Sequence, residues 1–188
     1  KNPTKFIGPF YTKSQAQKLK NRYKIKKDAD RGYRRVVPSP KPIKILEAKT
    51  IKKLLKSTTV IAVGGGGIPV IEEEGKLKGI EAVIDKDLAS ACLANSIKAS
   101  ILIMVTSVPY AYLNFGTKKQ KPIMEITLDK IRSYYMQGHF PAGSMGPKIE
   151  AAINFLKKGG KKVIITSPEN FMKALNNKAG TIITKRWA

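Results

Sequence analysis

At 188 residues and 42% apolar, the chain is long enough for one domain with a core of its own, and it shows neither a signal peptide nor an apolar run near the roughly 20 residues of a membrane span. Its one cysteine, Cys92, rules out a disulfide within the chain and favours a reducing, cytoplasmic setting. The net charge of +23 invites nucleic acid, but lysine outnumbers arginine 30 to 6 and isoleucine outnumbers leucine 22 to 12, a bias that AT-rich codons give on solvated faces, so no specific nucleic-acid partner is expected.

Lys1 rather than Met stands first, and the expectation is a fragment or a processed product. Residues 1–42 read as an arm. Asn2-Pro3-Thr4-Lys5 and Gly8-Pro9-Phe10-Tyr11 are turn-rich, and a lysine-rich helix is predicted over 14–23 with Ser14 as its cap. Arg31-Gly32-Tyr33 begins like an RNA-recognition motif, but Arg34, Arg35 and Pro38 fill positions that need small or aromatic side chains. The match fails. Pro38-Ser39-Pro40-Lys41-Pro42 is stiff and extended, and it is the best linker candidate.

The next unit, 43–188, reads as an α/β nucleotide-binding lobe. A helix over 48–56 carries Ile51, Leu54 and Leu55 at helical spacing. The β-branched run 60–63 predicts a buried strand, which leaves through Gly64, Gly65, Gly66 and Gly67. Without Cβ atoms, such a loop can bring backbone N–H groups close to an anion, though four glycines also make a tight connection. It is neither a dinucleotide fingerprint nor a P-loop, because no third glycine and no G-K-[ST] follows. A polar, hairpin-like interval and a second apolar run, 80–84, end on Asp85-Lys86-Asp87 at the mouth of an apolar helix. The aspartates either cap that helix or handle charge.

Strands are predicted over 101–105 and 111–115, with a helix over 128–136. The glycine-rich turn 138–146 opens a helix with Pro147 at its first position and Ile149, Ala152, Ile153 and Leu156 on one face. Lys148 in its first turn opposes the helix dipole, so it is either exposed and harmless or paired with a bound anion. A strand over 163–166, a helix near 169–175 and a strand over 181–184 complete an alternating pattern, which argues for a layered α/β domain with a largely parallel sheet. Nucleotide is expected at the glycine-rich turn, at Gly143, Ser144, Met145 and Gly146, with Tyr112 and Phe115 to pack on a base.

V-G-G-G-G-I-P-V, E-A-V-I-D-K-D-L-A and G-H-F-P-A-G-S-M-G-P-K, in this order, resemble carbamate kinase of the amino-acid kinase superfamily. N-P-T-K-F-I-G-P-F-Y and R-G-Y-R-R-V-V-P-S-P continue the resemblance, which covers essentially the whole chain. It implies a three-layer α/β/α sandwich, here without the family's N-terminal lobe, that transfers phosphate between ATP and carbamate. The family runs toward ATP in arginine fermentation and forms homodimers. Lys5 matches a lysine in the arm over the active site, and Lys86 and Lys148 match lysines on the transferring phosphate. Asp87 matches the aspartate that holds the lysines in place. Thr106 matches the nucleotide side, the glycine loop the substrate side, and Mg²⁺ would be held by the nucleotide's phosphates, with no protein metal ligand.

One motif departs. Thr106-Ser107-Val108-Pro109 stands where the family commonly has T-D-V-D, so two carboxylates are gone beside the expected nucleotide pocket. A catalytically silent remnant that still binds nucleotide is therefore a second reading, and a basic nucleic-acid-binding protein a third.

Overall fold

The computed structural model describes residues 3–141 and 143–186. Lys1, Asn2, Ala142, Trp187 and Ala188 lie outside the described residues, and with them the start of the N-P-T-K stretch and one residue of the glycine-rich turn. Packing divides the chain into a smaller unit, residues 1–41 with 64–85, and a larger one, 42–63 with 86–188. The glycine loop and hairpin thus pack with the arm, not with the sheet that follows.

In the smaller unit, β1 (Lys5–Tyr11) is followed by α1 (Lys13–Leu19), β2 (Ile25–Lys27) and β3 (Tyr33–Val37). The three strands form an antiparallel sheet in the order β1-β3-β2. Among the described residues of this unit, the buried apolar side chains include Ala16, Val36, Val37 and Ile84. The cap of α1 is Thr12, not Ser14. Thr12 Oγ1 accepts from Gln15 N, and Gln15 Oε1 accepts from Thr12 N. That reciprocal pair is a capping box and sets the helix start at Thr12; Ser14-x-x-Gln17 has the same spacing, so the sequence alone does not choose between the two. Arginine is put to structural use here. Arg31 and Arg34 hold the buried Asp28 carboxylate and lie over the Phe10 ring, and Arg35 lies over Tyr23.

The second segment of this unit is a hairpin of β4 (Val70–Glu73) and β5 (Lys76–Gly79). Its turn, Glu74-Gly75, has positive φ at both residues, as a tight two-residue hairpin turn of this hand requires. Val83 N donates to Pro38 O at 3.0 Å, and Arg35 pairs with Glu81.

The larger unit begins with α2 (Ala48–Leu54) and α3 (Lys86–Ile97). It continues through β6 (Ile101–Val105), β7 (Ala111–Leu113), β8 (Lys121–Ile123), β9 (Glu125–Thr127), α4 (Leu128–Met136), α5 (Met145–Lys157), β10 (Lys162–Thr166), α6 (Phe171–Leu175) and β11 (Thr181–Thr184). The sheet order is β6-β10-β11-β9, with β6/β10 and β11/β9 parallel and β10/β11 antiparallel. Register aligns Leu102, Val163 and Ile183 on one face of the sheet, in one core with Ile149, Ala152 and Leu156 of α5. Ile164 and Ile182 point the other way yet are also buried. A strand buried on both faces needs cover on both, so this sheet is the middle layer of three.

Two expectations fail in this unit. Residues 60–63 are not a strand: Ile61 is 98% exposed, and among the described residues no backbone hydrogen bond involves 60–63. β-branched composition favours an extended chain, but a strand also needs a neighbour to pair with. Pro147 is the third residue of α5, not the first, because the helix already starts at Met145. No helix among the described residues is long and apolar enough to cross a membrane.

Candidate active site

The larger unit brings together three of the four expected catalytic residues. Asp87 is the second residue of α3, and Lys148 is the fourth of α5. The two helices pack side by side. Ala89, Ala91 and Ala94 are buried on α3, and Ala151 and Ala152 on α5, so the backbones can approach closely. Lys148 Nζ then reaches Asp87 Oδ2 at 2.8 Å, while Lys86 Nζ lies 3.1 Å from Oδ1 of the same carboxylate. Lys148 is only 7% exposed, so the reading of an exposed, harmless lysine is excluded. A buried ammonium without a counter-charge would cost several kcal/mol, and Asp87 supplies that charge. One carboxylate gathering two ammoniums leaves the cluster with a net positive charge, suited to an anion.

The aromatic pair is positioned from the sheet. Thr181 Oγ1, fully buried on β11, accepts from Ala111 N at 2.8 Å and so fixes the start of β7. Tyr112 follows on β7, with Phe115 5.8 Å away between ring centroids and more than half exposed. Thr106 lies just past the carboxyl end of β6 and donates its N–H to Thr166 O at 2.8 Å. The carboxyl ends of parallel strands are where open α/β sheets take their ligands.

In the glycine-rich turn, Ser144 N and Gly146 N both donate to Pro141 O, at 3.3 and 2.8 Å. A Cβ on Gly146 would sit 2.8 Å from that same oxygen, so only glycine fits. Gly143 has open space around it, and Met145 starts the helix.

The smaller unit holds the remaining expected residues. Lys5 Nζ pairs with Asp85 Oδ2 at 2.7 Å. In the glycine loop, a Cβ on Gly66 would fall 2.1 Å from Ile84 O, and its φ of +125° favours glycine as well. Gly64, Gly65 and Gly67 face open space. Among the described residues no group of three or more His, Cys, Asp and Glu side chains is placed to hold a metal.

Residues 10–167 match the sequence profile described as Amino acid kinase family. The chain belongs to the amino acid kinase family. Within it, the chain is similar to the carbamate kinase of Pyrococcus horikoshii, 51% identical over 97% of this chain and 59% of that protein. It is 50% identical to the carbamate kinase of Staphylococcus haemolyticus, over 98% of this chain and 61% of that one. Among solved structures, carbamate kinase from Giardia lamblia bound to AMP-PNP superposes with a TM-score of 0.87 at 43% identity, over 98% of this chain and 60% of that one. The chain thus spans about three fifths of the length of the relatives it matches.

Asp85 was missed as a partner for Lys5. The D-K-D triplet marked it, but nothing local shows that a lysine 80 residues earlier reaches that carboxylate.

Proposed function

We propose that this amino acid kinase acts as a carbamate kinase, moving a phosphoryl group between ADP and carbamoyl phosphate to give ATP and carbamate. In that direction the P–O bond to the carbamoyl oxygen breaks, its electron pair stays on carbamate, and a β-phosphate oxygen of ADP forms the new bond. Carbamate is anionic at neutral pH, so no general base is required, and the demand falls on positioning and positive charge. The observation that carries the reading is the cluster of Lys148, Asp87 and Lys86. The lysines would neutralise the transferring phosphate, with Asp87 holding both in place.

Gly143–Gly146, Thr106, Tyr112 and Phe115 would take the nucleotide, and Gly64–Gly67 with Lys5 would serve the carbamoyl phosphate side. Mg²⁺ would arrive on the nucleotide's phosphates. Use in arginine breakdown toward ATP, a cytoplasmic setting, a homodimer and the absence of a specific nucleic-acid partner belong to the same proposal. The arm 1–42 would serve as a cover and 43–188 as the nucleotide lobe. The test is ATP formation from ADP and carbamoyl phosphate, on this chain alone and joined to the unmatched residues of the Pyrococcus horikoshii relative. Turnover that depends on Lys148 is expected; a joined form that binds ADP but makes no ATP would favour the silent remnant, for which the loss of both carboxylates at Ser107 and Pro109 speaks.

A further inference from the structure

In the smaller unit, Lys5 and Asp85 form an ion pair that stability does not account for. Lys5 Nζ lies 2.7 Å from Asp85 Oδ2, with the aspartate side chain 13% exposed and the lysine side chain 36%. Burying a carboxylate is costly, and a cation that keeps its access to water returns little of that cost. Other lysine pairs of the same unit, Lys27 with Asp30 and Lys78 with Glu73, join one exposed side chain to another. The Lys5 pair differs: its holder is buried and its cation is open. The holder is also fixed by its backbone. Lys5 stands in register with Val37 across β1 and β3. Val83 N donates to the O of the next residue, Pro38, at 3.0 Å, so consecutive residues anchor two segments that lie 80 apart in sequence. Ile84 O in turn lies only 2.1 Å from where a Cβ on Gly66 would fall. The short stretch 83–85 thus contacts Pro38, the glycine loop and Lys5.

We propose that Asp85 is a positioning residue, which holds the Lys5 ammonium in place for the phosphate group of an acyl phosphate. A long lysine side chain loses much rotamer freedom when an anion fixes it, and a tether takes that loss beforehand. The ammonium has three donors, so giving one to Asp85 leaves two for the anion. The inference rests on the reading that Lys5 serves the carbamoyl phosphate side, and direct binding separates it from turnover.

The probe is phosphonoacetamide, which keeps the shape of carbamoyl phosphate without its labile P–O bond. It is titrated by calorimetry into this chain and into the form joined to the unmatched residues of the Pyrococcus horikoshii relative. Asp85→Asn should raise its Kd at least tenfold. In the joined form the same change should raise KM for carbamoyl phosphate equally, with kcat and KM for ADP within about twofold of the parent. Asp85→Glu, which keeps the charge, should recover most of that loss. In a Lys5→Met background, adding Asp85→Asn should change Kd less than about twofold, because Asp85 acts through Lys5. Glu73→Gln, which takes the carboxylate from Lys78, should change neither constant. A structural pair would instead lower the melting temperature and leave Kd and KM as they were, and that result would overturn the proposal. So would an equal loss in Glu73→Gln, which would reduce the effect to net charge, or an absence of phosphonoacetamide binding in both forms. A joined form that makes no ATP, yet binds phosphonoacetamide with this dependence on Asp85, would end the kinase reading and leave the positioning standing.

Discussion

Lys148 and Asp87 lie 61 residues apart in sequence and 2.8 Å apart in space, each side chain about a tenth exposed. A buried pair of this kind has different consequences depending on which partner is removed. Asp87→Asn leaves an ammonium buried without its counter-charge and should destabilise the larger unit by roughly 3–5 kcal/mol. Adding Lys148→Met to it should restore most of that stability in denaturant melts. If the lysines also neutralise the transferring phosphate, activity will not return with stability. Lys148→Ala should lower kcat for ATP formation by ~10²–10³ with little change in KM for ADP. Recovery of turnover in the stable double variant would remove both residues from the chemistry.

Glycine is required at Gly66 by a clash that its loop neighbours do not share, although Gly64 and Gly67 also have positive φ. Gly66→Ala places a Cβ against Ile84 O in a backbone conformation that alanine resists, and should cost on the order of 1–3 kcal/mol in unfolding free energy. Gly65→Ala meets open space without a positive φ and should melt like the parent chain. If Gly65→Ala nonetheless raises KM for carbamoyl phosphate, the loop touches substrate; equal kinetics would make it a connection only.

Phe115 tests the nucleotide side without disturbing the fold, because its ring is more than half exposed. Phe115→Ala should weaken ADP binding by about 1–3 kcal/mol in calorimetry, the usual worth of stacking a base on a ring, with the melting temperature unchanged. Gly143→Val, in open space, should also weaken ADP, whereas Gly146→Val would first break the turn against Pro141 O. Undiminished ADP affinity in both Phe115→Ala and Gly143→Val would place the base elsewhere.

Asp28 gives the arm sheet a pH dependence. Burial raises its pKa, but hydrogen bonds and charge from Arg31 and Arg34 outweigh this and hold the carboxyl below its ordinary value of 3.8. The folded state therefore holds its proton less tightly than the unfolded chain does. The resulting stability is present in full above that ordinary value and is lost as pH falls through the lowered one. Exchange of the β1 and β3 amides should accelerate across that acid window in the parent chain. In Asp28→Asn it should be faster at neutral pH and lack this step.

Local pattern made part of this fold legible. The limits of α4 and β11 follow from runs of 128–136 and 181–184, and the buried face of α5 from Ile149, Ala152, Ile153 and Leu156. What sequence could not show was pairing. Residues 60–63 have the composition of a strand, but strand identity lies in a neighbour. The three strands at 5–37 went unread because β2 has only three residues and β1 and β3 show no alternation of buried and exposed positions. Lys148 was singled out by its conflict with the helix dipole, yet its burial and its partner depend on how closely two alanine-rich helices pack.

The register of β10 bears on the order of events as the chain folds. It pairs with β11 across the 14 residues 167–180 and with β6 across the 56 residues 106–161. Closing the longer loop costs about 1 kcal/mol more chain entropy, so the antiparallel hairpin should form before the parallel crossover is secured. Pulse-labelled amide exchange during refolding would show this as early protection of 163–165 and 181–183, followed by 102–104. The hairpin is then a template that waits for α5 to fold back, and the lysine cluster at the head of that helix can assemble only after the slower step.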